Sequence, residues 1–394
     1  MIRSQIAQIT IHQLGIPFRR PFGHGAAVRE ASDNVVLAVE LDGGTTGFGE
    51  TLARPYVTGE TPAGVVEAVQ REFVPRLLEA HPQSFGAAIE FLDSLPLTIG
   101  DRPMYAARCA VELALLDAWG RLFRRSPEAL AGWLDQPFWS PPGATAKVGY
   151  SGIIGFSAPE KASRMALLMR LWGLRDIKVK VGDEQEFERL EAVVRRLGRA
   201  LRAGRARLRV DANGAWRPEE LDEKVGRLEE LGVLYLEQPT AKDADGSWLD
   251  VQHHRGVNLI ADESLVSPED GERLADDYRA GVFDIRIAKN GGLLPSLRLA
   301  GYAYSRGIEV QLGCLVGETM ILTRAGQWFA ALLPEVIFAE GNYGRWLMKD
   351  DVARREPLRY RGRIPAPGGP GLGVQVDAGK LQRYAHSAAI PIKF

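Results

Sequence analysis

The second half of this 394-residue chain alternates short apolar segments with longer amphipathic ones, and this alternation restricts the fold more than any other feature. Eight short segments have the composition of buried β-strands, and helical periodicity separates them. The predicted strands are Ala146–Gly149, Asp176–Val181, Arg207–Asp211, Tyr235–Glu237, Leu259–Asp262, Asp284–Ile287, Glu309–Leu312 and Val336–Ala339. The clearest helical stretches are Glu184–Arg202, Pro218–Leu231, Pro268–Arg279 and Leu293–Arg306. Eight β/α units in about 200 residues predict an α/β fold of the (β/α)8-barrel type.

An open, doubly wound parallel sheet is the alternative for such a pattern. If it bound nucleotides, it would normally carry a glycine-rich phosphate-binding turn after its first strand. The segment Gly149-Tyr150-Ser151-Gly152 matches that turn poorly. We therefore predict the barrel.

The N-terminal third has a different organisation. Strand-like segments come first (Ile6–Ile11, Asn34–Glu40 and Thr46–Glu50), and helical periodicity follows between about residues 61 and 132, most clearly in Ala106–Trp119. Strands followed by helices predict an α+β domain. A proline-rich linker is expected at Pro137–Pro142, and the Gly/Pro-rich residues after about 355 are expected to fold back on the N-terminal domain. The predicted boundaries are 1–135 for the α+β domain, 143–350 for the barrel and 351–394 for the returning segment.

Composition excludes several classes of protein. A net charge of −1 gives no reason to expect nucleic acid or an anionic membrane as a partner. The two cysteines, Cys109 and Cys314, are too few for a disulfide framework. We find neither an 18-residue apolar run nor the apolar core of a signal peptide, so we expect a soluble, cytoplasmic protein.

Ionisable residues stand at the carboxyl ends of five consecutive predicted strands. They are Lys180, Asp211, Glu237, Asp262 and Lys289, separated by 31, 26, 25 and 27 residues, about one β/α repeat each. A single strand-end Asp is usually a turn or capping residue, but five ionisable residues in register are hard to obtain by chance. In a barrel these strand ends form the mouth, where active sites are built.

The chemistry of the five side chains indicates a metal. Three carboxylates that converge in a partly dry mouth repel each other unless a cation lies between them. Oxygen ligands without nearby His or Cys favour a hard ion, and Mg²⁺ fits best. Lys178 adds a second ammonium on the same strand face as Lys180, since side chains two residues apart point the same way.

Five motifs together resemble the enolase superfamily, muconate lactonizing enzyme subgroup. They are Lys178-Val179-Lys180, Asp211-Ala212-Asn213, Glu237-Gln238-Pro239, Asp262-Glu263-Ser264 and Lys289-Asn290-Gly291-Gly292. The resemblance covers nearly the whole chain: Ala110–Asp117 is similar to the last helix of the family's N-terminal capping domain, and Gly369–Gly373 with Asp377 to its C-terminal return. The sibling subgroup of mandelate racemase is disfavoured, because the sixth strand lacks the expected Asp and the seventh lacks a His.

The resemblance implies roles for the strand-end residues. Asp211, Glu237 and Asp262 would bind Mg²⁺, for which Mn²⁺ can substitute. Lys180 and Lys289 would be acid/base catalysts on opposite faces of a small carboxylate substrate, and Lys178 would be the electrostatic neighbour that tunes Lys180. Removal of the proton α to the carboxylate would leave an enediolate.

Three fates of the enediolate stay open. Racemisation or epimerisation of an amino-acid derivative or dipeptide is our first expectation, because Gly313–Thr319 is similar to the seventh-strand segment of dipeptide epimerases. A muconate-type cycloisomerase and an o-succinylbenzoate synthase-like dehydratase are the alternatives. A barrel that only binds its ligand is a remote alternative, because it would be expected to have lost a metal ligand or a lysine.

Substrate contacts are expected from residues around the mouth. The set is Lys178, Asn213, His24, Arg54, Glu318, Glu340 and Asn342. His24 and Arg54 lie in segments that correspond to capping loops, where Arg54 could pair with a distal carboxylate. Glu340-Gly341-Asn342 stands where dipeptide epimerases have Asp-x-Asp, whose carboxylates hold the substrate ammonium group. We also expect a homo-oligomer, with no nucleic acid or membrane partner.

Overall fold

The computed structural model describes residues 3–24, 27–134, 140, 146, 148–251, 254, 256–277, 280–357 and 359–394. Its strands are β1 Ile6–Gln13, β2 Pro17–His24, β3 Ala27–Ala31, β4 Val35–Leu41, β5 Thr46–Thr51, β6 Thr98–Ile99, β7 Arg102–Pro103, β8 Gly152–Ile154, β9 Asp176–Lys180, β10 Arg207–Asp211, β11 Tyr235–Glu237, β12 Asn258–Ala261, β13 Val282–Ile285, β14 Glu309–Leu312, β15 Phe338–Ala339 and β16 Ile390–Lys393. Apart from Ser140, the predicted linker Pro137–Pro142 lies outside the described residues.

Helices cover the strands of both domains. The α-helices are α1 Pro62–Ala68, α2 Val74–Leu77, α3 Phe85–Asp93, α4 Tyr105–Phe123, α5 Ala129–Leu134, α6 Pro159–Leu171, α7 Glu186–Arg202, α8 Leu221–Glu230, α9 Pro268–Asp276, α10 Leu293–Ser305, α11 Met320–Leu332, α12 Gly344–Leu347 and α13 Ala378–Arg383. A π-helical turn, Val69–Phe73, joins α1 to α2, and 3₁₀ turns occur at Pro218–Glu220, Asp245–Val251 and Tyr360–Gly362.

The eight strands β8 to β15 form one parallel sheet in chain order, which confirms the predicted barrel. The sheet closes on itself next to β8, where Tyr150 pairs with Ala339 and the Ser151 amide donates to the Ala339 carbonyl at 2.8 Å. Its N-terminal end is plugged by Ile260, Val282 and Phe338, with Tyr235 packed against them. The charged residues described below stand at the other end, where the strands finish.

The first barrel strand lies later in the chain than the sequence predicts. The expected strand Ala146–Gly149 is wrong, and β8 begins at Gly152. Gly149 instead pairs with Arg363 of the C-terminal segment. The two backbones approach so closely that a Cβ on Gly149 would stand 2.7 Å from the Arg361 carbonyl oxygen. This pairing with a distant part of the chain leaves no local signal in the sequence.

The N-terminal domain packs a four-stranded antiparallel sheet, in the order β16-β1-β4-β5, against helix α4. Strand β16 comes from the C-terminal segment, which therefore returns to this domain. Helix α4 is buried over nearly its whole length and crosses β5 at Gly47 and Gly49. A Cβ at Gly49 would lie 2.1 Å from the Ala110 carbonyl oxygen. Glycine thus permits the contact between sheet and helix.

Replacing Gly49 with alanine should destabilise the fold by about 1–3 kcal/mol, because neither backbone at the β5–α4 contact can move without disturbing the core. The matched control is Gly132→Ala on α5, where an added Cβ meets nothing within 4 Å. That control should be neutral or stabilising, since alanine favours helix more than glycine does. Thermal unfolding followed by circular dichroism measures both, and equal melting temperatures for the two variants would contradict the packing argument.

Candidate active site

Strand alternation directs a set of charged side chains into the barrel. On β9, Ile177 and Val179 pack outward, so Lys178 and Lys180 point inward. The same alternation turns inward Arg209 and Asp211 on β10, Glu237 on β11, Asp284 on β13 and Gln311 on β14. Asp262 and Glu340 directly follow β12 and β15. The two lysines on β9 therefore face acidic side chains of the neighbouring strands.

Lys178 is fully buried and is surrounded by three acidic side chains. Its Nζ stands 2.9 Å from an oxygen of Asp211, 2.9 Å from one of Glu237 and 2.5 Å from one of Glu340. Burial alone would lower the pKa of Lys178, but these three carboxylates together raise it well above its ordinary value. Lys178 is therefore a fixed cation inside the barrel.

Glu340, predicted to hold a substrate ammonium group, is held by two cations of the protein. Its Oε1 lies 2.5 Å from Lys178 Nζ and 2.6 Å from an Arg209 Nη, and the residue is 4% exposed. Arg209 is fully buried and also donates to the Ser151 hydroxyl at 3.0 Å. The carboxylate thus joins the second, third and eighth strands of the barrel.

Glu340→Gln should destabilise the protein by about 3–5 kcal/mol, because it leaves two buried cations without their shared counter-charge. The control is Asp93→Asn, which removes an exposed ion pair with Arg298 and should cost under about 1 kcal/mol. Chemical denaturation of both variants measures the difference. A loss for Glu340→Gln as small as that of the control would mean that Glu340 does not anchor the cations.

The acids predicted to bind metal lie on three adjacent strands. Asp211 and Glu237 are direct neighbours in the sheet register, and their carboxyl groups share a hydrogen bond. Glu237 and Asp262 are brought together with a further acid, Asp284, and the three offer oxygen atoms that all lie within 4.8 Å of one another. Sequence reasoning missed Asp284, although its place in the predicted sixth strand and the alternation of that strand could have indicated it.

This donor set fits a hard divalent cation. All the donors are carboxylate oxygens, and Asp211, Glu237, Asp262 and Asp284 are fully buried. Burial and then Asp211 raise the pKa of Glu237 well above its ordinary value, and burial and Asp262 raise that of Asp284 to about 6. A bound cation would remove this repulsion.

Lys180 lies at the rim of the network. Its Nζ donates to Asp211 Oδ2 and Asn213 Oδ1, both at 2.5 Å, and its side chain is 14% exposed. Asn213 has a positive φ of 46° in the turn after β10, and the Asp211 carboxylate accepts from its backbone amide at 2.9 Å. The turn therefore aims the Asn213 side chain at Lys180. An ammonium group in this place is both oriented and accessible.

The structure places Lys289 differently from the expectation that it ends the sixth strand. Strand β13 ends at Ile285, and Lys289 stands four residues beyond it with a fully buried side chain. Its Nζ donates to the carbonyl oxygens of Asp262 and Asp284 at 2.7 and 2.8 Å and to Asp262 Oδ1 at 3.0 Å. These three acceptors use all three of its protons.

Arg286 occupies the rim at the end of β13. Its guanidinium forms an ion pair with Asp262, lies 3.1 Å from Asp284 Oδ2 and 3.9 Å from Glu237 Oε1, and its side chain is 11% exposed. Sequence reasoning missed this residue. Continuing the inward alternation two residues beyond Asp284 would have found it.

Capping-domain residues hold the loop after β14 against the mouth. Arg54 is buried, pairs with Asp33 at 2.8 Å and donates to the Val316 carbonyl at 2.8 Å. Glu50 accepts from the Thr319 amide at 2.9 Å. The described contacts of the Arg54 guanidinium are therefore with other residues of the protein.

The remaining predicted contacts lie around the same loop and the eighth strand. Glu318 is half-buried and accepts from the Leu315 amide at 2.6 Å, and burial raises its pKa to about 8. Asn342 has a positive φ of 57° in the turn after β15 and is half-buried. The His24 side chain lies outside the described part of the structure.

Comparison with known proteins identifies the class. Residues 161–380 match the family model described as enolase C-terminal domain-like, and residues 6–132 match that of the mandelate racemase / muconate lactonizing enzyme N-terminal domain. The chain therefore belongs to the enolase superfamily, in its muconate lactonizing enzyme subgroup, as its motifs predicted.

Several relatives extend over nearly the whole chain. L-Ala-D/L-Glu epimerase of Bacillus subtilis is 25% identical over 94% of this chain and 96% of its own length. Muconate cycloisomerase 1 of Rhodococcus opacus is 29% identical over 98% of this chain and 100% of its own. The crystal structure of N-succinyl Arg/Lys racemase from Bacillus cereus superposes with a TM-score of 0.84 at 23% identity, covering 99% of this chain and all of that one. The chain is thus an isomerase of this superfamily.

Among the described residues, no helix is both long and apolar enough to span a membrane.

Proposed function

We propose that this enzyme removes the proton α to the carboxylate of a small molecule in a Mg²⁺-dependent reaction, with Lys180 as the base. The observation that supports this most strongly is the pairing of an accessible, oriented lysine with a buried group of carboxylates at the mouth of a barrel. Lys180 Nζ lies 2.5 Å from Asp211 Oδ2, so the proposed base stands beside the acids that would hold the metal.

The metal would be held by Asp211, Glu237 and Asp262, with Asp284 as a neighbouring acid. When bound, Mg²⁺ or Mn²⁺ supplies positive charge that favours the developing enediolate. The protein itself keeps the acids away from water and pairs them with lysine side chains. Lys178 forms ion pairs with Asp211 and Glu237, and Lys289 forms one with Asp262.

Lys180 would act in its neutral form and take the proton on Nζ. Asp211 and Asn213 fix its orientation through two hydrogen bonds, so that the lone pair formed on deprotonation is directed into the mouth. Lys178 lies two residues away on the same strand face and holds a fixed positive charge beside the Asp211 carboxylate that Lys180 also contacts. This position supports the proposal that Lys178 is the electrostatic neighbour of Lys180, as the family resemblance implies.

The substrate we infer is a carboxylate that carries no free ammonium group. The acid expected to bind such a group, Glu340, is already neutralised by Lys178 and Arg209. An N-acylated amino acid or a dicarboxylate meets this requirement, and a dipeptide does not. The names of the relatives include a dipeptide epimerase and a muconate cycloisomerase, and the pairing of Glu340 favours the second kind of substrate over the first.

Substrate class is tested by incubating the protein and Mg²⁺ in D₂O with three sets of compounds: dipeptides, N-acyl amino acids, and unsaturated dicarboxylates with their lactones. Mass spectrometry detects deuterium at the α-carbon or a change of ring structure. We expect products from the second or third set. Turnover confined to dipeptides would contradict the inferred substrate, while leaving α-proton abstraction intact.

A further inference from the structure

The positively charged side chains around the described barrel interior differ in exposure, and only the exposed ones can contact a substrate. Lys178, Arg209 and Lys289 have side chains that are 2%, 0% and 0% exposed. Lys180 and Arg286 are 14% and 11% exposed, and both stand at the ends of their strands. Of these five cations, Lys180 and Arg286 are therefore the two that a molecule bound at the mouth can contact.

These two residues face each other across the barrel. Their strands, β9 and β13, are the second and sixth of eight in the closed sheet, and strands four apart lie on opposite sides. Gly313, directly after the seventh strand, leaves room for the Arg286 side chain. A Cβ at Gly313 would stand 2.8 Å from Arg286 Cγ and 2.4 Å from an Asp284 oxygen, so glycine leaves the room that both side chains fill.

We infer that Arg286 is the second catalytic group of the proposed reaction, on which this inference rests, and that it acts as a fixed cation and never as a base. A guanidinium has five donors, no acceptor, and stays protonated in proteins. It can stabilise the enediolate from the face opposite Lys180, but it cannot deliver or remove the α-proton there. Proton transfer is therefore confined to the Lys180 face.

One-sided proton transfer disfavours racemisation, which requires a proton to leave one face and arrive on the other. It permits cycloisomerisation. In the ring-opening direction the Cα–H bond breaks and its proton goes to Lys180 Nζ. The electron pair then forms a Cα=Cβ bond as the Cβ–O bond breaks, and the departing pair stays on a carboxylate oxygen of the same molecule. Ring closure is the reverse, so mass and charge are conserved.

The test compares the wild type with Arg286→Lys and Arg286→Gln in D₂O with Mg²⁺. The probes are pure enantiomers of N-succinyl and N-acetyl amino acids and of γ-lactones that carry a carboxymethyl group, and NMR and chiral chromatography follow each α-proton. We expect the wild type to exchange the α-proton of one enantiomer of a pair, or to eliminate from that enantiomer, without inverting its configuration. Arg286→Gln should slow that reaction about 10²–10³-fold, and Arg286→Lys, the conservative variant, should gain exchange with the opposite enantiomer.

Two results would overturn this inference while leaving α-proton abstraction standing: inversion of both enantiomers by the wild type, or an Arg286→Gln variant that folds and keeps the wild-type rate. A third result, no exchange or elimination with any probe in the presence of Mg²⁺, removes the proposed function and this inference with it. Circular dichroism of each variant verifies folding before the rates are compared.

Discussion

Lys180→Ala should abolish turnover while leaving the fold and the metal site in place. Loss of a general base removes about 10²–10⁴-fold in rate, and no other described lysine at the mouth can replace it, since Lys178 and Lys289 are buried and fully paired. The Lys180 side chain reaches the surface at the rim, where it is 14% exposed, so solvent can enter the space that its removal leaves. Turnover is measured as α-deuterium incorporation, and metal binding by calorimetry.

The control for this prediction is Lys161→Ala, which removes an exposed lysine from α6 and should change nothing. If Lys180→Ala retained most of the wild-type rate while Lys161→Ala behaved as expected, the base would have to be another group. If Lys180→Ala failed to bind the metal, the loss of rate would reflect the site as a whole rather than proton transfer.

Asp211→Asn should remove most of the divalent-metal affinity and, with it, the activity. An amide replaces one of the negative charges that would hold the ion, and it also changes the partner of Lys178 and Lys180, whose Nζ atoms lie 2.9 and 2.5 Å from Asp211 Oδ2. We expect the wild type to lose turnover in EDTA and regain it with Mg²⁺ or Mn²⁺, and the variant to stay inactive in both.

Titration calorimetry of Mg²⁺ into the wild type and Asp211→Asn gives the affinity directly. Asp42→Asn, on an exposed turn of the N-terminal domain, is the control and should bind as the wild type does. Equal affinities for all three proteins would exclude Asp211 as a ligand. Full activity of the wild type in metal-free buffer would exclude the metal altogether.

The sequence predicts the barrel and most of its strands because each β/α unit is a local pattern. Strands β10, β11 and β14 were predicted at their observed bounds, and β9 within one residue. The first strand was misplaced because its neighbourhood is decided by pairing with Arg363, more than 200 residues away. Strand β16 was missed for the same reason: its partner β1 lies at the other end of the chain.

The site was predictable where side-chain direction follows from alternation and unpredictable where it depends on loops. Alternation correctly turns Lys178, Lys180 and Asp211 into the barrel. It would also have selected Arg286 over Lys289, had β13 been taken to end at Ile285. That Glu340 pairs with Lys178 and Arg209 could not be read from the chain, because the three residues come from different strands.

The most direct test of this account is the incorporation of solvent deuterium at the α-carbon of a carboxylate substrate by the wild-type protein in D₂O. The account predicts incorporation that requires Mg²⁺ or Mn²⁺, stops in EDTA and is absent from Lys180→Ala. Substrate turnover that leaves the α-proton in place, or incorporation at the same rate in metal-free buffer, would contradict it.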